Sequence, residues 1–424
     1  MRRIKKITLI TILLIATAAL AISVAAQGQK ITRENWTKTV CFSADLIKPG
    51  VSTVSKANMD QVKDMLTQGV QVLVNNYDLK FRVIDYRPEA PSDGYIDATN
   101  KGLGMTKLGD PNAPARQRAL SGYTGGLPFP NPQTGVEVAW NYHYNYSGDD
   151  ADNEFGVYWV SAKRGVERSE QWRWLYIVKS LNRSDIDPPY FEDMKKANIQ
   201  YHSMTICRKP LDKKGFTALY HRFDEPKDQE GWIYVPQQRR ATRFSFGTRG
   251  DAWNNTDMLY EDVRGYMGFA EWMTWELLDK KVLLAPAHSG TPYGLDNADK
   301  VFDFKNAPYW NPRWKWEPRP MYVVQATPKF RDYPYSKMVF YIDGETYQIL
   351  IKEMWDKKGQ LWKVQVNGFD ESSDPLSMPG NIAGSLMVDL QSEHATAFVW
   401  HEMKANVGLE PSLFTLSELR KLAQ

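Results

Sequence analysis

Residues 337–366 read KMVFYIDGETYQILIKEMWDKKGQLWKVQV, and this stretch decides the fold class. Lys337–Ile342, Tyr347–Trp355 and Leu361–Val366 are runs rich in β-branched and aromatic residues, the signature of strands. Between them stand Asp343-Gly344 and Lys358-Gly359, pairs that suit the tight turns of antiparallel hairpins. Three strands joined this way make a meander, and Met321–Thr327 reads as a fourth strand just upstream.

Outward from the meander, apolar and polar residues keep alternating. From Val136 to Tyr146 one face carries Val136, Val138, Trp140, Tyr142, Tyr144 and Tyr146, which predicts a strand with an aromatic wall. In 171–178 the same face is shared by Trp172, Trp174, Tyr176 and Val178, and Phe155, Val157 and Trp159 form a shorter version. Trp232–Val235 reads as a further strand. Helical signals are few. Asn58 followed by Gln61 resembles a capping box, Val62, Met65 and Leu66 share a helical face, and Gly69 suits a helix stop. A last short helix is expected over Ser417–Leu422. Prolines cluster in 88–132 and 286–334, which predicts long loops there, including Asn306–Pro320. The economical architecture is mainly β: one large antiparallel sheet curled around a core, crossed by few helices, forming a single domain over residues 27–424.

Charge is concentrated at one end. The chain of 424 residues has 53 Lys+Arg and 50 Asp+Glu, but Arg2, Arg3, Lys5 and Lys6 lie in residues 1–26, which hold no acid. The remainder carries about one net negative charge, which excludes a basic domain that tracks a nucleic-acid backbone. A content of 42% apolar residues excludes a disordered chain. Within 1–26, the basic start, the apolar run from Ile7 to about Leu20 and the small residues Val24, Ala25 and Ala26 predict a secretory signal cut after Ala26. The competing reading is an uncleaved anchor, since Ile7–Val24 just reaches spanning length. For an exported chain the two cysteines, Cys41 and Cys207, have two readings: one disulfide, or two separate buried thiols.

Catalytic signatures are sparse. There is no GxSxG, P-loop, GxGxxG, HExxH or CxxC pattern. His394 and His401 are seven apart, and no two of the six histidines share a metal-binding helical spacing. The acidic run Asp149, Asp150, Asp152 and Glu154 lacks the glycine and distant glutamate of a calcium loop and reads as a solvated turn. No cofactor is expected. Arg239, Arg240, Arg243 and Arg249 follow the Trp232–Val235 strand, as a cationic rim for anionic lipid headgroups or an acidic partner, or as ordinary strand-end charges. The aromatic walls have three readings: filled core, the lining of an apolar-ligand cavity, or a platform for sugar rings.

Several segments resemble a family of exported bacterial proteins of unknown function, described as outer-membrane lipoprotein-sorting-protein-like. They are Gly126-Leu-Pro-Phe-Pro130 with Ala139-Trp-Asn141, Gly231–Pro236 with Arg239, Arg240 and Arg243, Glu261-Asp-Val-Arg-Gly265 with Gly268, and a long match over Pro320–Val364. The resemblance implies a fold like the carriers LolA and LolB, an unclosed barrel whose concave side is covered by helices and holds an acyl chain or another apolar molecule. It further implies a periplasmic location, no catalytic residues, and partnership with envelope transporters such as resistance-nodulation-division type permeases; peripheral membrane contact is expected instead from the lack of a second apolar run of about 18 residues. On this basis Trp140, Tyr142, Tyr144, Trp172, Trp174 and Tyr176 are the expected ligand-binding wall, with Arg239, Arg240 and Arg243 at its mouth. The rival function is a secreted carbohydrate-binding or glycoside-hydrolysing protein, which would need an open groove and a carboxylate pair.

Overall fold

The computed structural model describes residues 30–110, 119–223, 230–245, 250–291, 298–370 and 381–423; the signal expected at 1–26 and Arg249 lie outside them. Among the described residues fifteen strands make one large sheet. They are β1 (Thr53–Val54), β2 (Phe81–Val83), β3 (Asp150–Ser161), β4 (Gly165–Ile177), β5 (Ile199–Lys209), β6 (Thr217–Phe223), β7 (Glu230–Val235), β8 (Arg240–Ser245), β9 (Met273–Ala285), β10 (Lys315–Pro328), β11 (Lys337–Asp343), β12 (Ile349–Trp355), β13 (Leu361–Asp370), β14 (Asn381–Asp389) and β15 (His394–Ala405). From β9 through β10 to β15, and on through β3 to β8, every neighbouring pair is antiparallel. The last strand therefore joins two meanders, His394 lying opposite Ser161. The short β1–β2 pair is added beside the start of β10, where Lys315 meets Arg82 in parallel. Among the described residues β8 and β9 do not pair with each other, so the sheet is not closed.

The expected meander is present, and its turns are built by aspartates. Asp343 Oδ1 accepts the backbone N–H of Glu345 and Thr346 at 3.0 and 2.9 Å. Asp356 Oδ1 does the same for Lys358 and Gln360, while Gly359 takes φ +78°. Such side-chain caps fix a turn by satisfying its orphan donors.

Three expectations are corrected. Asn306–Pro320 is not a loop throughout, because β10 begins at Lys315 and includes Pro318 and Pro320. A strand residue points its N–H and C=O the same way, and the Pro320 carbonyl accepts from Gly344 N, in the turn after β11 has ended. The missing proline N–H groups thus fall between the β2 pairing, which ends at Trp316, and the β11 pairing, which starts at Met321. The helix expected from Asn58 to Gly69 is a 3-10 segment over Met59–Met65, after which α1 (Gln68–Tyr77) begins, so Gly69 lies in a first turn and not at a stop. Thr67 caps α1 by accepting from Val70 N at 3.3 Å. Finally, Val136–Tyr146 is not a strand. Gly135–His143 is a helix, α2, closed at its start by a capping box between Thr134 and Glu137.

The core lies on both faces of β4. Trp172, Trp174 and Tyr176 enter the main cluster, while Leu175 and Ile177 on the opposite face enter a smaller one with Met204, Ile206, Phe414 and Leu419. That second cluster is covered by α3 (Leu416–Leu422), the terminal helix expected from sequence, whose Thr415 cap accepts from Glu418 N. Cys41 and Cys207 are buried free thiols, which corrects the disulfide reading in favour of two separate ones. No helix among the described residues is long and apolar enough to cross a membrane.

Candidate functional site

Helix α2 is the element that opens a site. The sequence Thr134-Gly135-Val136-Glu137 fixes its start: Glu137 N donates to Thr134 Oγ1 at 3.3 Å, and Glu137 Oε2 accepts from Thr134 N at 2.9 Å. Gly135 lets the helix press on β9, since a Cβ there would lie 2.8 Å from backbone atoms of Glu276 and Leu277. Held this way, α2 projects Trp140 and Tyr144, one helical turn apart, with ring centroids 5.9 Å apart and nearly parallel planes. Tyr123 packs on Tyr144 at 4.1 Å. Tyr142 instead reaches the 264–266 segment, donating to the Tyr266 carbonyl at 2.8 Å.

Between these rings and the ends of β4, β5 and β6 lies a cavity of about 370 Å³. Its sheet side presents Tyr176 and Tyr201, packed edge to face at 5.0 Å. Of the six expected lining residues, Trp140, Tyr142, Tyr144 and Tyr176 border it. Trp174 stacks on Tyr176 at 5.0 Å and borders only a neighbouring crevice of about 30 Å³. Trp172 packs against Trp253 and donates Nε1 to Glu170 at 3.1 Å. One face of one strand therefore passes from filled core at Trp172 to cavity wall at Tyr176.

Arg239, Arg240 and Arg243 are exposed around the β7–β8 turn and do not border the cavity. Arg243 pairs with Glu230 across those strands at 2.7 Å. The cations that do border the cavity are Arg222, Lys179 and Arg264. Arg222 sits at the end of β6, 1% exposed, donating Nε to Gln200 Oε1 at 2.9 Å and Nη1 to the Met267 carbonyl, with its guanidinium 3.6 Å from the Phe269 ring centroid. Arg264 adopts φ +57° and donates to Ser147 Oγ. Lys179 follows β4, and burial holds its ammonium below the ordinary lysine range although Asp149 and Asp185 pull the other way. His143 is pushed down to about 3, first by burial and then by Arg222, so it is neutral.

Sequence alternation missed this cationic set because each member stands alone in the chain, in three distant segments. One signal existed: Arg264 lies within the Glu261–Gly265 segment. The acidic run at Asp149 is also not a solvated turn. Asp149 Oδ2 accepts from Asp185 N at 2.7 Å, Asp150 from Val407 N and Leu409 N at 2.7 and 2.8 Å, and Asp152 pairs with Arg173 at 2.6 Å. His394 bonds to Asp257 at 2.7 Å. Among the described residues no group of three or more His, Cys, Asp or Glu is placed to hold a metal ion.

Residues 53–420 match the family model described as Protein of unknown function (DUF1329). An uncharacterized protein of Pseudomonas aeruginosa is 25% identical over 330 residues, 74% of this chain and 68% of its own length. Among solved structures, a DUF1329 family protein from Desulfovibrio piger is similar with a TM-score of 0.48 and 16% identity, covering 67% of this chain and 97% of its own. A LolA superfamily protein from Nitrosomonas europaea is similar with a TM-score of 0.42 and 13% identity, covering 68% of this chain and 99% of its own.

Proposed function

The chain belongs to the DUF1329 family, and from that premise we propose that it is a non-enzymatic carrier that shields a lipid or lipoprotein acyl chain during transfer between envelope membranes. The observation that carries this reading is the cavity beneath α2, walled by Trp140, Tyr144, Tyr176 and Tyr201. A volume of about 370 Å³ falls in the range of small-molecule sites. Each methylene moved from water into such a wall contributes about 0.8 kcal/mol, so a dozen are enough to retain a chain that water rejects. The residues follow the same logic: rings supply apolar area, and their hydroxyls meet backbone carbonyls, as at Tyr142.

The carbohydrate-hydrolase alternative is less well supported. Glycoside hydrolysis uses two facing carboxylates, and Glu271 is the one carboxylate bordering the cavity among the described residues. The reading extends to a periplasmic location, with residues 1–26 as the export signal, and to release of the ligand to an envelope transporter, a resistance-nodulation-division type permease being the kind of partner envisaged.

The test is to purify the protein from cells and identify co-purified lipids by mass spectrometry, then offer lipid-free protein a fluorescent fatty acid. Bound amphiphile in repeated preparations, displaced by the probe, is the expected result. Absence of both overturns the carrier reading.

A further inference from the structure

We propose that the ligand of this cavity carries an anionic headgroup, a carboxylate or phosphate, received by Arg222, Lys179 and Arg264. The inference rests on the carrier reading above and specifies its ligand class.

Three cations border one cavity, and none of them has a carboxylate within 4.0 Å among the described residues. Arg222 is the clearest case. Its Nε and Nη1 are used by Gln200 and the Met267 carbonyl, but Nη2 is sealed from solvent and finds no hydrogen-bond partner among the described residues. Lys179 Nζ is likewise sealed and has no hydrogen-bond partner there, with the Tyr95 ring centroid at 5.0 Å. The acids nearest Lys179 are committed elsewhere: Asp149 accepts from the backbone N–H of Ser184, Asp185 and Ile186, and Asp185 accepts from Tyr146, Ser92 and Asn406.

Burying a cation without a counter-charge is strongly unfavourable, so a buried arginine with a free fork end calls for an anion. The cations converge. Arg264 and Arg222 both act on the Tyr176 hydroxyl, and Arg264 also acts on Lys179. Among the described residues Glu271 is the opposing charge on the wall, which leaves three cations against one carboxylate. An arginine fork and an ammonium match carboxylate or phosphate oxygens equally in charge, and the aromatic wall beside them accepts the chain.

The experiment compares four twelve-carbon ligands on the full chain by isothermal titration calorimetry: dodecanoate, dodecyl phosphate, dodecanol and dodecylammonium. Both anions are expected to bind at least tenfold tighter than dodecanol, and dodecylammonium weakest; the tighter of the two anions identifies the headgroup. Arg222→Gln and Lys179→Met should each reduce that preference severalfold, with circular dichroism checking the fold. The wild-type comparison stands even where a variant does not fold. Equal binding of dodecanol and the anions, or a preference that survives both substitutions, overturns the headgroup assignment and leaves the carrier reading intact. Binding of none of the four overturns the carrier reading itself.

Discussion

Gln200 Nε2 lies 2.5 Å from His143 Nε2, which ties the end of α2 to β5 across the cavity floor. The direction of this bond is fixed from behind, because Gln200 Oε1 already accepts from Arg222 Nε, a group that can only donate. The amide nitrogen must therefore donate, and His143 must accept as a neutral ring protonated on Nδ1. Burial and Arg222 push its pKa down to about 3, below the unfolded value of about 6.5. A depressed folded pKa means stability that is full above pH 6.5 and is lost as pH falls toward 3, at about 1.4 kcal/mol per pH unit. In nitrogen-detected NMR His143 should stay neutral from pH 8 to 5, whereas His394, held above the usual histidine value by its bond to Asp257, should protonate first. A midpoint for His143 near 6.5 would sink the assignment.

Arg319 is the second point of leverage. It is fully buried and forks onto Asp343 at 2.6 and 2.9 Å, while Nη2 also reaches Glu345 at 2.7 Å and Nη1 reaches Glu317 at 3.0 Å. Asp343 in turn caps the β11–β12 turn, so the network ties that meander turn to β10. Arg319→Met strands three carboxylates and should cost about 3–5 kcal/mol in urea unfolding. Arg33→Ala, which breaks the exposed pair with Asp93, should cost less than about 1 kcal/mol.

How much of this was legible depends on what each residue contacts. The meander reads directly because its turns and alternation are local, and β4 keeps its two faces as alternation predicts. Helix α2 was misread because Val136, Val138, Trp140, Tyr142 and Tyr144 fit period 2 as well as a helix buried on several sides. Thr134 and Glu137, three apart, were the local cue that separates the two. The grouping of Arg222, Lys179 and Arg264 was beyond reach for another reason. Their convergence is set by the pairing of β4, β5 and β6 and by the 264–269 segment, which no local pattern encodes.

Glu89 should give the protein a pH dependence of the opposite sign. Burial raises its carboxyl to about 7 despite His288 and Arg319 nearby. Burial pulls His288 down, but its 2.9 Å bond to Glu317 and the field of Glu89 outweigh this and leave it above the usual value. Raised folded values mean stability that is full at low pH and is lost as pH rises, between about 4.5 and 7 for Glu89. Glu89→Gln cannot ionise, so its Tm relative to wild type should rise between pH 5 and pH 7.5. A constant difference would show that Glu89 ionises normally.

Trp172 and Trp140 should separate stability from binding. Trp172→Ala removes a ring from filled core and should cost about 3–5 kcal/mol, with little change in dodecanoate affinity. Trp140→Ala should weaken that affinity by about tenfold, equivalent to about 1.4 kcal/mol of lost contact. Urea midpoints and calorimetry on the same preparations check both, and the reverse pattern would remove α2 from the binding wall.

The capping box tests whether α2 holds that wall in place. Thr134 touches neither the cavity nor a ligand group, but its hydroxyl accepts from Glu137 N and so fixes the first turn of the helix that carries Trp140 and Tyr144. Thr134→Ala should cost about 1 kcal/mol of stability, and Thr134→Ser, which keeps the acceptor, almost none. If the helix positions the rings, Thr134→Ala should also weaken dodecanoate binding while Thr134→Ser leaves it unchanged. A loss of stability in Thr134→Ala without any loss of affinity would mean that Trp140 and Tyr144 are held by their packing on Tyr123 and the sheet, not by the helix start.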